Sequence, residues 1–139
     1  MHAVVTVAAM GFLLASGRLQ AQELLREEAQ VVLSAWTTHD AAGILAGADS
    51  ILLNLPGAQP AAPIGRQQAT ALIRGYLGGT SEEALTLQAV RSTGRDRGFA
   101  ELARRFRPAE GSASRTETIL LGFRLEGDHW RLDELRVVR

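Results

Sequence analysis

The sequence predicts one α+β domain in which three N-terminal helices pack on a strongly curved antiparallel sheet. Its apolar residues recur at helical spacing up to about residue 77 and at a spacing near two over most of the remaining chain. Its length of 139 residues, with 15 basic and 15 acidic side chains, is typical of a single compact domain with balanced charge.

The N-terminal segment predicts a signal peptide over residues 1–21, followed by a single domain over residues 22–139. Ala3 to Ala15 form an apolar run, which is shorter than the roughly 20 residues that a membrane-spanning helix needs. Ala21 supplies the small residue expected before a cleavage point, although Leu19 fits position −3 poorly. Cleavage predicts a periplasmic or secreted protein with no stable membrane anchor. The alternative is that the segment is an N-terminal buried helix of the domain.

Composition excludes several function classes. Aromatic residues make up 5% of the chain and the formal net charge is zero, so we expect no nucleic-acid partner. The absence of cysteine excludes disulfides and thiolate chemistry. Beyond the signal peptide only His39 and His129 remain, too far apart in sequence to predict a metal site. No phosphate-binding loop or dinucleotide fingerprint occurs, so we expect no cofactor.

Three helices are predicted from apolar spacing and turn residues. The first begins at Glu23 and turns one apolar face inward: Leu25, Ala29, Val32 and Trp36. The second is short and begins after Asp40, a predicted N-cap, with His39 expected to be a solvated neighbour. The third begins near Gly65, turns Tyr76 inward and ends at Gly78–Gly79. Between the last two helices, Ile51 to Leu55 form a strand that stops at Pro56–Gly57.

The turns set the pairing of the last strands. A hairpin at Gly127–Asp128 places Leu125 opposite Trp130 and Phe123 opposite Leu132, after which the apolar phase slips and predicts a bulge near Asp133–Glu134.

A second hairpin centred on Glu110–Gly111 places Ala100 opposite Leu121, Leu102 opposite Ile119 and Arg104 opposite Glu117. The strand before it, from Ala84 to Arg91, is predicted to turn three side chains to one face: Leu85, Leu87 and Ala89.

The order of these elements resembles the nuclear transport factor 2-like (SnoaL-like) superfamily, which has a cystatin-like cone fold. Residues 63–69 (PIGRQQA) and 129–137 (HWRLDELRV) carry the resemblance. Within the superfamily the chain is most similar to uncharacterised exported bacterial domains. The resemblance implies a pocket at the wide end of the cone. The steroid isomerase branch places its base aspartate where this sequence has Leu55, so the resemblance implies no such base here.

Four residues are predicted to bind a ligand. Arg104 and Glu117 form a charge pair on the inward face of the sheet, and Trp36 and Tyr76 supply flat apolar surface. A small apolar or amphipathic molecule is the expected ligand. The alternative is a structural ion pair beside core aromatics, because aromatic side chains usually fill cores.

These observations favour an exported, non-catalytic module that binds a small ligand in the cone pocket or a protein at the sheet face. A homodimer through the sheet face is a further expectation. No catalytic residue is assigned. The alternative is a small cofactor-independent isomerase or dehydratase-like enzyme, in which Glu134 or Glu117 acts as base and Arg104 stabilises developing negative charge.

Overall fold

The computed structural model describes residues 2–111 and 113–139, with side chains from residue 17 onward. The helices are α1 (His2–Thr37), α2 (Ala41–Ile44) and α3 (Arg66–Leu77). The strands are β1 (Ser50–Asn54), β2 (Ile64–Gly65), β3 (Ser81–Thr93), β4 (Arg97–Arg107), β5 (Arg115–Glu126) and β6 (His129–Val138).

The strands form one sheet in the order β2-β1-β6-β5-β4-β3. Strands β3 to β6 are the predicted antiparallel meander, and the predicted α+β class is confirmed. The parallel pairing of β1 with β6, which places Leu53 beside Leu135, was not predicted. No turn connects these two strands, so no local signal sets their register.

Helix α1 begins before the predicted start at Glu23 and is continuous to Thr37. The predicted signal peptide falls largely on residues whose side chains lie outside the described part of the chain, so its removal stays a prediction. Within the described residues, no helix is both long enough and apolar enough to cross a membrane.

The two predicted hairpin registers are confirmed. Leu125 pairs with Trp130 and Phe123 with Leu132, and the register then shifts so that Gly122 pairs with Glu134. Asp133 is the extra residue of the predicted bulge.

The observed register of the preceding hairpin, formed by β4 and β5, also matches the predicted one. In β4 and β5, Ala100 pairs with Leu121, Leu102 with Ile119 and Arg104 with Glu117.

Strand β3 departs from simple alternation at two register shifts, between Glu82 and Ala84 and between Leu87 and Ala89. A bulge adds one residue and reverses which face the following side chains take. Val90 therefore packs against the core, whereas Ala89 lies on the opposite face of the sheet. The prediction that Ala89 shares a face with Leu87 is wrong for this reason.

The helices pack on one face of the sheet, and the residues between them form one buried core. Trp36 of α1, Ile73 of α3, and Leu102 and Ile119 of the sheet are each 0% exposed. A residue that bordered a water-sized void would carry accessible surface, so the interior around these four side chains is close-packed.

Close packing also explains a glycine in β4. A Cβ at Gly98 would lie 2.7 Å from Cδ2 of Leu25 and 3.1 Å from Cζ3 of Trp130. We expect Gly98→Ala to lower the free energy of unfolding by about 1–3 kcal/mol, measured by urea denaturation, because the core must shift to admit a methyl group. Gly75→Ala is the matched control: that site in α3 has no atom within 4 Å, so stability should rise by about 0.5–1 kcal/mol. Equal effects at the two sites would contradict the packing described.

Candidate functional site

Arg104 is the centre of a buried charged cluster between the sheet and the helices. The alternation of β4 turns it inward, where it is 1% exposed. Its Nε donates to both carboxylate oxygens of Glu82, at 3.0 and 2.9 Å. Nη1 donates to Oε1 of Glu117 at 2.5 Å, and Nη2 donates to Oγ1 of Thr80 at 3.1 Å and to Glu82. Every nitrogen of the guanidinium therefore has a partner.

Aromatic rings surround the same guanidinium. Its Cζ lies 3.9 Å from the ring centroid of Phe106, 5.3 Å from that of Trp36 and 5.8 Å from that of Tyr76. Rings at this range attract a cation through their quadrupoles. Burial lowers the pKa of Arg104, but the hydrogen bonds to Glu82 and Glu117 and the negative charges of these two carboxylates together outweigh that effect, so the pKa is raised. The side chain therefore stays charged in the interior.

Tyr76 closes the cluster on the side of α3. Its hydroxyl donates to Oε2 of Glu117 at 2.5 Å, so both oxygens of that carboxylate are hydrogen-bonded. Burial, this hydrogen bond and the negative charge of Glu117 raise the pKa of Tyr76 well above its ordinary value, and they outweigh the opposing effect of Arg104.

Titration of Tyr76 tests its buried hydrogen bond to Glu117 without a signal from other tyrosines, because the chain contains 1 tyrosine. We expect the ultraviolet absorbance of the folded protein to show no tyrosinate near pH 10, whereas the urea-unfolded chain ionises about there. A pKa raised on folding means that the stabilisation is complete below pH 10 and declines as the pH rises further. Tyr76→Phe should remove this decline. Ionisation of the native protein near pH 10 would contradict the buried hydrogen bond.

His39 lies at the solvent side of the cluster. It was predicted to be solvated, but its Nε2 is 3.0 Å from Oε1 of Glu82 and its side chain is 29% exposed. The position of the His39 side chain has a backbone cause, because His39 takes a positive φ of 55° where the chain turns out of α1. The predicted cap at Asp40 is confirmed, because its Oδ1 accepts the Gly43 N–H at 3.0 Å.

The four predicted site residues, Trp36, Tyr76, Arg104 and Glu117, do meet in this cluster. The space among them is taken up by their own side chains: Trp36 is 0% exposed, and so is the side chain of Glu117. Ligand binding there stays a prediction.

Sequence reasoning missed Glu82, which bonds Arg104 from β3. Glu82 and Glu83 are adjacent acidic residues. Strict alternation, counted back from Leu85, would predict that Glu83 rather than Glu82 points inward. The shift between Glu82 and Ala84 reverses this, so Glu82 bonds Arg104 while Glu83 pairs with exposed Arg105.

The alternative enzymatic site does not assemble around Glu134. Its carboxylate lies 2.5 Å from Nε of Arg136 and lines the outer face of the sheet. The bulge at Asp133 gives the inward positions to Leu135 and Val137, so the alternative in which Glu134 acts as a base in the interior lacks the inward turn that it requires. Leu55, where the sequence resemblance leads one to expect the isomerase base, is 0% exposed. The described residues contain no group of side chains able to hold a metal ion.

The outer face of the sheet carries exposed apolar side chains, namely Phe99 (41% exposed), Leu120 (36%) and Val138 (48%). A concave region of about 480 Å³, called the outer groove here, surrounds the first two. Its other lining residues include Ala89, Arg91, Glu101, Gly122, Glu134 and Arg136.

Comparison with known proteins supports the fold. No protein-family model matches the chain, and no curated protein matches it. A ketosteroid isomerase-like protein from Erwinia carotovora atroseptica has a TM-score of 0.67 at 18% identity, over 84% of this chain and 93% of that one. A nuclear transport factor 2 design has a TM-score of 0.58 at 13% identity, over 81% and 94%.

A domain with a cystatin-like fold from Nostoc punctiforme has a TM-score of 0.59 at 15% identity, over 82% of this chain and 74% of that chain. Together with the strand order and the helices on one face of the sheet, these similarities show that the chain has the nuclear transport factor 2-like cone fold. The resemblance predicted from the sequence is confirmed at the level of fold.

Proposed function

We propose that this chain is an exported, non-catalytic interaction module that pairs with a second copy of itself through the outer face of its sheet. The observation that carries this proposal is the exposure of Phe99 and Leu120 in the outer groove. The close-packed interior supports it as well, because the described core around Trp36 leaves no space for a guest molecule. Export is supported by the apolar run from Ala3 to Ala15.

Charge complementarity favours a second copy as the occupant of the outer groove. Arg91 and Glu101 both line the groove, and neither forms an ion pair with any residue that the structure describes. In a two-fold dimer the same patch meets itself, so a residue that contacts a second residue in one direction is contacted by it in the other. We therefore infer that Arg91 of each copy pairs with Glu101 of the other, around an apolar contact of Phe99 and Leu120.

Charging the outer groove is expected to separate the copies. Leu120→Glu places a carboxylate in the apolar contact, and we expect the dimer dissociation constant from sedimentation velocity to rise on the order of a hundredfold. Val31→Glu is the matched control, because Val31 is 53% exposed on α1, away from the sheet face. The control should dimerise normally. A wild-type protein that is monomeric at high concentration, or equal effects of both variants, would overturn the proposal.

A charge exchange tests the pairing itself. Arg91→Glu and Glu101→Arg should each weaken self-association, because each places like charges opposite one another twice across the two-fold axis. An equimolar mixture of the two variants should form a heterodimer, because opposite charges then meet at both positions. Failure of the mixture to associate would show that these residues do not meet.

A further inference from the structure

We propose that the export signal is removed by hydrolysis of the peptide bond between Gly17 and Arg18, so that the mature chain keeps Ala21. This inference rests on the export part of the proposed function. Its basis is that the domain uses Ala21: the indole Nε1 of Trp130 donates to the Ala21 carbonyl oxygen at 2.8 Å. Trp130 is 5% exposed while Ala21 is in place, so this hydrogen bond belongs to the packed part of the domain.

Cleavage after Ala21 would remove that acceptor from the domain. It would also make Gln22 the first residue of α1. Gln22 already belongs to the docked part of the helix, because its side-chain Nε2 donates to the Val90 carbonyl at 2.9 Å. The first four N–H groups of a helix have no partner within the helix. In a helix beginning at Gln22 they include that of Leu25, which is 0% exposed. The N–H of a core residue would therefore lose the partner that it has in the uncut helix.

Cleavage after Gly17 has neither consequence. Gly17, Arg18, Leu19 and Gln20 are exposed, and the Leu19 side chain reaches 69% exposure. A helix that begins at Arg18 has three of its four unpartnered N–H groups in this exposed turn, where water satisfies them, and the fourth belongs to half-buried Ala21. Burial begins at Ala21, so the turn from Arg18 to Gln20 separates the bond to be cut from the docked part of α1.

The residues around this bond fit the requirement of a signal peptidase for small side chains at positions −3 and −1. Ala15 and Gly17 occupy those positions for a cut after Gly17, whereas Leu19 occupies position −3 for a cut after Ala21. The enzyme required is a signal peptidase of the exporting cell, and the co-substrate is water. The C–N bond between Gly17 and Arg18 breaks, the carbonyl carbon gains the water oxygen to become a carboxylate, and Arg18 gains a free amine.

The test is the intact mass of the full chain expressed with its own N-terminus and recovered from the periplasm. A mature chain beginning at Arg18 is the expected result. A chain beginning at Gln22 would overturn the cleavage site and leave export standing. An uncleaved chain that stays in the cytoplasm would instead refute export, and the inference with it.

Two leucine substitutions sharpen the test. Gly17→Leu places a large side chain at position −1 and should abolish processing to Arg18, whereas Ser16→Leu at the tolerant middle position should leave the N-terminus unchanged. The double variant Gly17→Leu/Leu19→Ala has small residues at positions 19 and 21. It should shift cleavage to the peptide bond that follows Ala21. The product should melt at a lower temperature than the wild-type mature chain. Normal processing of Gly17→Leu, or a shortened product that melts like wild type, would contradict the proposal.

Discussion

Replacing Arg104 with methionine is expected to lower the free energy of unfolding by about 3–5 kcal/mol. The substitution keeps the apolar stem but leaves the carboxylates of Glu82 and Glu117 without their cation, and these side chains are 8% and 0% exposed. Arg105→Met is the matched control one residue along β4. Arg105 is 58% exposed and lies 3.3 Å from Glu83, so its loss should cost less than about 1 kcal/mol in the same urea titration.

A compensated variant separates the charge effect from packing. In the triple variant Arg104→Met, Glu82→Gln and Glu117→Gln, no buried carboxylate is left unpaired, so much of the lost stability should return. A cost below about 1 kcal/mol for Arg104→Met, similar to that for an exposed ion pair, would contradict the burial of the cluster. Failure of the triple variant to recover would show that Arg104 acts through its shape rather than its charge.

Trp36→Ala is expected to lower the free energy of unfolding by about 3–5 kcal/mol, as much as Arg104→Met. The indole is 0% exposed and its ring centroid lies 5.3 Å from the Arg104 guanidinium, so truncation opens a cavity beside a buried charge. Trp36→Phe is the control, and it should lower the free energy of unfolding by a smaller amount. It retains a ring against Arg104 and removes an indole N–H that has no partner among the described residues.

This pair of substitutions also bears on the ligand-binding prediction. If Trp36→Ala costs less than about 1 kcal/mol, the interior is not close-packed there and the cone has room for a guest. A loss near the expected size leaves the outer face of the sheet as the surface available for recognition.

Turn residues explain why the C-terminal half of the fold is predictable from the sequence. Gly127–Asp128 is a two-residue hairpin, and a two-residue hairpin sets the register of the strands on either side of it. The hairpin centred on Glu110–Gly111 brings Arg104 opposite Glu117 in the same way. Helical spacing turns Trp36 and Tyr76 inward, so most of the cluster follows from local pattern.

The rest depended on features that have no local signature. Glu82 joins the cluster because a bulge reverses the faces of β3, and Ala89 leaves the core after a second register shift in the same strand. Glu134 turns outward because the bulge in β6 falls on Asp133. The parallel pairing of β1 with β6 joins strands that no hairpin connects. Each of these is decided by tertiary contacts rather than by alternation.

Native mass spectrometry of the purified protein tests most directly whether recognition uses the outer face or the interior of the cone. We predict a dimer whose mass is that of two polypeptides alone, and monomers of bare polypeptide when Leu120 is changed to Glu. A monomer carrying an additional small-molecule mass, released on collisional activation and lost in Trp36→Ala, would contradict the proposal and place the binding site inside the cone.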